Sequence, residues 1–302
     1  MKKNQPKKVK NVALCFSGMA KSFELCYPYI KKNLLDHIGS YDIFCYAEDD
    51  KDLKKVKLLN PVRIKKVKSS EVDEIIKDEL RYLNKQNYKT IIFPESFRFN
   101  LRNIYQQLFK IKKSFELLEE YMDEENISYK YFIRIRFDML PLDIFNLKNF
   151  KIKKNEVIVP KMKLHHSKDS FNDMFCITKD FDAFRSYCSL YNNFGSVVQK
   201  SISVKITFFQ RLYFFFERNY NNFFLFILKE LNTKQRKLPR KILGFMLLFT
   251  KMFYKEFKIK NNICGPDKAF FYHLKKEKVK LKEEKINFII VRSLDEGFLI
   301  FG

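Results

Sequence analysis

Tyr131-Phe132-Ile133-Arg134-Ile135-Arg136-Phe137-Asp138 reads as a β-strand that ends in a carboxylate. Side chains alternate between the two faces of a strand, so Ile133, Ile135 and Phe137 point one way and Arg134, Arg136 and Asp138 the other. Two guanidinium groups and a carboxylate beside an apolar core are costly to bury without compensation. Arginine forks bind phosphate, and a carboxylate at a strand end can hold a divalent metal. The charged face therefore suits a nucleotide diphosphate. It also suits a salt-bridged face on an edge strand.

Upstream of this strand, residues 100–125 carry the clearest helical pattern. Leu101, Ile104, Leu108, Ile111, Phe115, Leu118 and Met122 recur at three- and four-residue steps. Asn126-Ile127-Ser128 ends it. Further upstream, Val12-Ala13-Leu14-Cys15-Phe16 is continuously apolar, as a central parallel strand covered on both faces should be. Ser17-Gly18-Met19 follows as a loop, and a helix then runs to about Leu35. Residues 41–46 form a second strand and close a β-α-β unit, and 62–67 form a third. Residues 71–83 predict a helix with an acidic first turn, which suits its dipole.

Downstream, 156–160 and 171–177 read as strands, and Asp180 can cap a helix running to about Tyr191. Asp267 can cap a helix ending near Lys275-Lys276, with short strands around 279–281 and 288–291. Strands alternating with helices predict an α/β fold with a mostly parallel sheet flanked by helices. A ligand would sit at the carboxyl ends of the strands, where Ser17-Gly18 and Asp138 both lie.

The character changes after about Val197. The chain divides into an α/β core over 1–200, an aromatic and basic helical insertion over 201–261, and a return to the core over 262–302. In 239–258, Arg240, Lys241, Gly244, Lys251, Lys255 and Lys258 fall within an arc of roughly 100° on a helical wheel. A basic stripe opposite an aromatic face suits a helix lying on a membrane. It also suits a packed helix with a solvated lysine face, and packing is the simpler reading of 203–229.

The 302 residues carry a formal net charge of +24, which favours anionic partners such as nucleic acid, acidic headgroups or phosphorylated substrates. The lysines are spread over the whole length, so the charge biases the reading without deciding it. None of the six cysteines forms a C-x-x-C pair, which disfavours a zinc ribbon or thioredoxin-type site. Cys15, Cys45 and Cys176 lie in apolar runs and read as buried thiols of a reducing cytosol. The apolar run 12–16 is too short for a secretory core, and no run reaches the ~18 residues of a membrane span. Phosphate-loop, dinucleotide and α/β-hydrolase motifs are absent, as are readable nucleic-acid modules, so no specific nucleic-acid partner is expected.

Three acidic places could hold a metal. Asp50-Lys51-Asp52 is a literal D-x-D within the run 48–52, which reads as a solvated loop. Asp180-Phe181-Asp182 is also literal, but Asp180 is better explained as a cap. Arg136-Phe137-Asp138 is degenerate, yet it has the strand-end context, so Asp138 is the favoured metal or diphosphate carboxylate. Asp173, entering the apolar Met174-Phe175-Cys176-Ile177, could be a general base or an ordinary turn residue. His165-His166 matches no zinc template, and His273 reads as a packing residue in a helix.

These pieces, in this order, resemble a family of bacterial and large-virus proteins of surface-polysaccharide synthesis that look like GT-A-type glycosyltransferases. VALCFSG (12–18) resembles the family's first strand and S-G turn. YQQLFKIKKSF (105–115) resembles the helix before its key strand, and YFIRIRFDML (131–140) its R-x-R-x-D-[LM] signature. NDMFCI (172–177) resembles its D-x-F strand, and GPDKAFFYHL (265–274) its late G-P-[DE] helix. Met19 and Lys21 stand where the family often has Gln and Arg, and lysine supplies charge without a bidentate fork.

The resemblance implies a nucleotide-sugar donor, a glycan or lipid-linked acceptor, and a divalent cation, Mn or Mg. It implies that Ser17, Gly18 and Lys21 line the nucleotide site, that Arg134 and Arg136 contact phosphate or brace Asp138, and that Asp138 holds the metal. Asp173 would face the acceptor. The enzyme would be cytoplasmic and peripheral at an anionic inner membrane face. The rival reading is a non-enzymatic basic protein that binds nucleic acid or anionic membrane.

Overall fold

The computed structural model describes residues 7–49, 53–85, 101–161, 174–202, 266–291 and 300–301. The predicted insertion over 201–261 lies almost entirely outside them. Among the described residues the strands are β1 (Lys8–Gly18), β2 (Tyr41–Glu48), β3 (Arg63–Val67), β4 (Ile127–Arg136), β5 (Met139–Pro141), β6 (Glu156–Pro160), β7 (Cys176–Thr178), β8 (Lys280–Glu284), β9 (Phe288–Val291) and β10 (Ile300–Phe301). Seven of them form one sheet in the order β3-β2-β1-β4-β7-β6-β8. Within it β7 alone runs antiparallel to its neighbours. The strands β10, β9 and β5 form a small second sheet. The mostly parallel α/β class expected from the sequence is the class observed.

The apolar run 12–16 is buried without interruption, because β1 is covered on both faces. One face, carrying Ala13, Cys15, Phe44 and Phe132, packs against α2 (Ser69–Lys85), α3 (Leu101–Glu124), α4 (Phe181–Cys188), α5 (Leu190–Ile202) and α6 (Pro266–Lys276). The other, carrying Leu14, Phe16, Ile133 and Phe137, packs against α1 (Phe23–Asn33) and the small sheet. Phe137 is fully buried, with its ring 5.4 Å from Phe16 and 5.8 Å from Phe23.

Helix α3 occupies nearly the span its periodicity predicts. It ends where Asn126 takes a φ of +51°, a left-handed conformation that asparagine tolerates. Strand β4 begins four residues before Tyr131, because Lys8–Lys10 of β1 extend the ladder with Ile127–Tyr129. It ends at Arg136, so Asp138 lies in the following turn. That turn delivers Met139–Pro141 to β9 in the second sheet.

The single helix expected over 180–191 is two. Ser189 leaves helical geometry, its hydroxyl donating to the Ser186 carbonyl at 3.0 Å, and α5 restarts at Leu190. Helix α6 begins at Pro266, so Asp267 lies in its first turn rather than at the cap, as proline's preference for that first position explains. His273 is wholly buried on α6, with Nε2 2.8 Å from the Ser186 carbonyl oxygen. Burial holds its pKa below the ordinary histidine value, in keeping with the packing role read from sequence.

Asp180 is the cap it was expected to be. It accepts from the backbone N–H groups of Asp182 at 3.0 Å and Ala183 at 3.2 Å, and from Asn155 at 2.9 Å. Burial alone would raise its carboxyl, but these three donors hold it below its ordinary value. The stabilisation is therefore present above the ordinary aspartate pKa and lost as pH falls through the folded one. Asp180→Ala should cost about 1–2 kcal/mol at pH 7 in urea unfolding, with a smaller difference at pH 3. An equal loss at both pH values would show that the carboxylate charge contributes nothing.

Candidate functional site

The strands β1, β2 and β4 run parallel, so their carboxyl ends share one edge of the sheet, where open α/β sheets take ligands. The register sets Ser17 beside Arg136 and Cys15 beside Arg134. Ser17 is 3% exposed, and its hydroxyl has no hydrogen-bond partner among the described residues. A buried hydroxyl left in this state calls for a partner from outside the described set. Gly18 ends β1 with a φ of +122°, and a Cβ there would meet nothing within 4 Å. The strand end thus faces open space, in a backbone conformation that glycine adopts readily.

The two arginines do different things. Arg134 is 1% exposed and lies among the thiols of Cys15, Cys176 and Cys188. Burial pushes the Cys176 thiol up to about 12, although the Arg134 charge opposes the shift. Arg134 is thus closed off from solvent beneath the strand end. Arg136 is half-buried and forms a fork with Asp138: Nε donates to Oδ1 at 2.7 Å and Nη2 to Oδ2 at 2.6 Å. The Asp138 carbonyl accepts from Val291 N–H at 2.9 Å, which pins the turn to β9. Burial, and secondarily the Asp138 charge, push the Cys26 thiol of α1 up to about 12.

Sequence reasoning missed a second ion pair at this edge. Glu48, read as the start of a solvated acidic loop, instead ends β2 and pairs with Lys110 of α3. Lys110 is 4% exposed. Burial would raise the Glu48 carboxyl, but the Lys110 bond and charge, the Ser69 hydroxyl and the Lys21 charge hold it below its ordinary value. The signal was present in α3, where Gln106, Lys110 and Ser114 stand four residues apart and all three are buried. A polar row at that spacing on a sheet-facing helix marks a polar contact within the core. Gln106 donates to Asp73 of α2 at 2.8 Å, and the Ser114 carbonyl lies 3.6 Å from the Cys15 sulfur.

Lys21 is exposed in the turn after β1, close enough for its charge to act on Glu48. Lys21, Lys110, Arg134 and Arg136 bring positive charge to this end of the sheet, where Glu48 pairs with Lys110 and Asp138 with Arg136. Asp173, Asp50-Lys51-Asp52 and His165-His166 lie outside the described residues.

A divalent ion does not fit Asp138 as it stands. Both carboxylate oxygens accept from one guanidinium, which would repel a metal, and among the described residues no three His, Cys, Asp or Glu side chains form a metal cluster. No helix among the described residues is long and apolar enough to cross a membrane.

Fold and site together define an α/β protein whose parallel strands bring Ser17, Gly18, Arg136 and Asp138 to one edge of the sheet. The family model of a domain of unknown function, DUF7796, matches residues 7–193, so the chain belongs to that family. No curated protein matches the sequence. Among solved structures, mouse xyloside xylosyltransferase 1 in its apo form aligns with a TM-score of 0.38 and 8% identity, over 65% of this chain and 75% of that one. The glycosyltransferase GlyE of Streptococcus pneumoniae TIGR4 aligns with a TM-score of 0.31 and 11% identity, over 65% of this chain and 41% of that one. Likenesses this loose carry no assignment of activity.

Proposed function

We propose that this protein is a glycosyltransferase that moves a sugar from a nucleotide-sugar donor to a saccharide or lipid-linked acceptor in surface glycan synthesis. The observation that carries the reading is the pairing of Ser17 with Arg136. Ser17 of the S-G turn is the register partner of Arg136 at the carboxyl edge of parallel strands, and its buried hydroxyl has no hydrogen-bond partner among the described residues. Ser17, Gly18 and Lys21 line the nucleotide, Arg136 faces the diphosphate, and Arg134 adds positive potential from below. The nucleotide-sugar class is what the resemblance of the ordered sequence motifs implies.

In the reaction, the acceptor hydroxyl oxygen bonds to the anomeric carbon of the donor sugar. The bond from that carbon to the diphosphate oxygen breaks, and its electron pair leaves on the nucleoside diphosphate. The acceptor proton passes to a carboxylate, for which Asp173 is the candidate.

Thermal-shift measurements with UDP-, GDP- and CMP-linked sugars test the reading. A rise in Tm with one donor class, followed by transfer to a glycan acceptor, is the expected result. No shift with any donor, together with salt-sensitive binding to DNA or anionic vesicles, would replace it with the rival of a basic binding protein.

A further inference from the structure

Resting on the transferase reading, we propose that Asp138 is a positioning residue for Arg136 rather than a metal ligand. The Arg136 guanidinium then takes the charge of the leaving diphosphate where a D-x-D pair would hold a divalent ion. In Arg136-Phe137-Asp138 an arginine stands at the place of the first aspartate, and the fold uses it. Nε and Nη2 meet the two Asp138 oxygens at 2.7 and 2.6 Å, the parallel two-bond geometry that fixes the guanidinium plane. The backbone on both sides of the fork is itself held. Arg136 is the last residue of β4 and is paired with Ser17, while the Asp138 carbonyl is bonded to Val291 of β9.

The pair is half-buried, with side chains 21% and 15% exposed, so it is shielded from bulk water yet still reaches the surface. A metal bound at Asp138 would have to displace two charge-assisted hydrogen bonds and then sit against the displaced cation. A phosphate has no such conflict, because a guanidinium carries five N–H donors and can serve a carboxylate and a phosphate together. As the bond between the anomeric carbon and the oxygen breaks, the electron pair leaves on the diphosphate oxygen. Arg136 stabilises that oxygen by hydrogen bonding and loses no proton. Ser17, the register partner of Arg136, has a buried hydroxyl that would donate to the same ligand.

The experiment titrates the full-length protein with UDP, GDP, CDP and inorganic pyrophosphate by calorimetry, in EDTA and again in Mn²⁺. Electron paramagnetic resonance follows Mn²⁺ binding in parallel. Wild-type affinity for the preferred diphosphate should differ less than twofold between EDTA and Mn²⁺, with no protein-bound Mn²⁺ signal. Arg136→Gln should weaken binding at least tenfold in both buffers.

Asp138→Asn keeps one acceptor oxygen and should lose less than Asp138→Ala. That graded rescue is not expected if Asp138 only supports the fold. Thermal unfolding of each variant confirms that it is folded. Tight binding that needs Mn²⁺, is lost in Asp138→Asn and survives in Arg136→Gln overturns the proposal but leaves the transferase reading standing. No binding of any diphosphate in either buffer overturns both.

Discussion

Lys110→Met should destabilise the protein by about 3 kcal/mol at pH 7, the magnitude expected when one partner of a buried ion pair is removed. The Lys110 side chain is 4% exposed and that of Glu48 14%. In the native protein the pull of Lys110, Ser69 and Lys21 outweighs the burial of Glu48 and keeps its carboxyl below the ordinary glutamate value. The pair therefore contributes stability above that value and loses it as pH falls through the folded pKa. Without Lys110, burial is opposed only by the Ser69 hydroxyl and the Lys21 charge, and the Glu48 pKa should rise above its unfolded value. The variant should then regain stability as pH is lowered from 7 towards 5, opposite in sign to the wild type.

Urea unfolding at the two pH values reads this directly. Adding Glu48→Gln to Lys110→Met should recover most of the loss, because the uncompensated charge, rather than the missing attraction, is the larger cost. A loss below about 1 kcal/mol in the single variant would place the pair in the range of solvated surface bridges instead.

On the proposed transferase reading, Arg136→Gln should lower sugar transfer by about 10²–10³-fold, the effect of removing one preorganised donor from a developing oxyanion. The fold should survive, since the Arg136–Asp138 pair is only half-buried and contributes on the order of 1 kcal/mol. The loss should fall on kcat and on kcat/KM together, because the charge that Arg136 would meet is larger in the transition state than in the bound donor. Arg136→Lys should recover less than a tenth of the wild-type rate, since an ammonium cannot be held by two parallel bonds. Full kcat in Arg136→Gln would remove Arg136 from the reaction and leave it as a surface salt bridge.

How much of this was legible beforehand depends on the kind of signal. The strands β1 and β2 were readable because continuous apolar runs bounded by turn residues leave few alternatives. Helix α3 was readable because seven apolar residues keep its period. The Asp180 cap was readable because capping is a local interaction between a side chain and the next few N–H groups.

The break at Ser189 was not readable. A serine bonding back to Ser186 competes with the helix through a hydroxyl whose rotamer depends on its surroundings. Glu48 was misread for a related reason. Beside the acidic residues that follow it, it looks solvated, and only the approach of Lys110, 62 residues away in sequence, gives it a buried partner. Gln106, Lys110 and Ser114 could have been picked out as a polar row, but nothing in α3 alone says what that row faces.

The class of fold, the alternation that puts Arg134 and Arg136 on one side of β4, and the glycine that closes β1 could all be read from the sequence. Each follows from short-range periodicity or from backbone sterics within a few residues. What those charges do depends on long-range packing. The parallel pairing of β1 with β4 sets Ser17 beside Arg136, burial encloses Arg134 among three thiols, and the turn at Phe137-Asp138 folds the carboxylate back onto Arg136. A charge acquires its role from the partner it meets and the water it loses, and both are set by which distant segments the fold brings together.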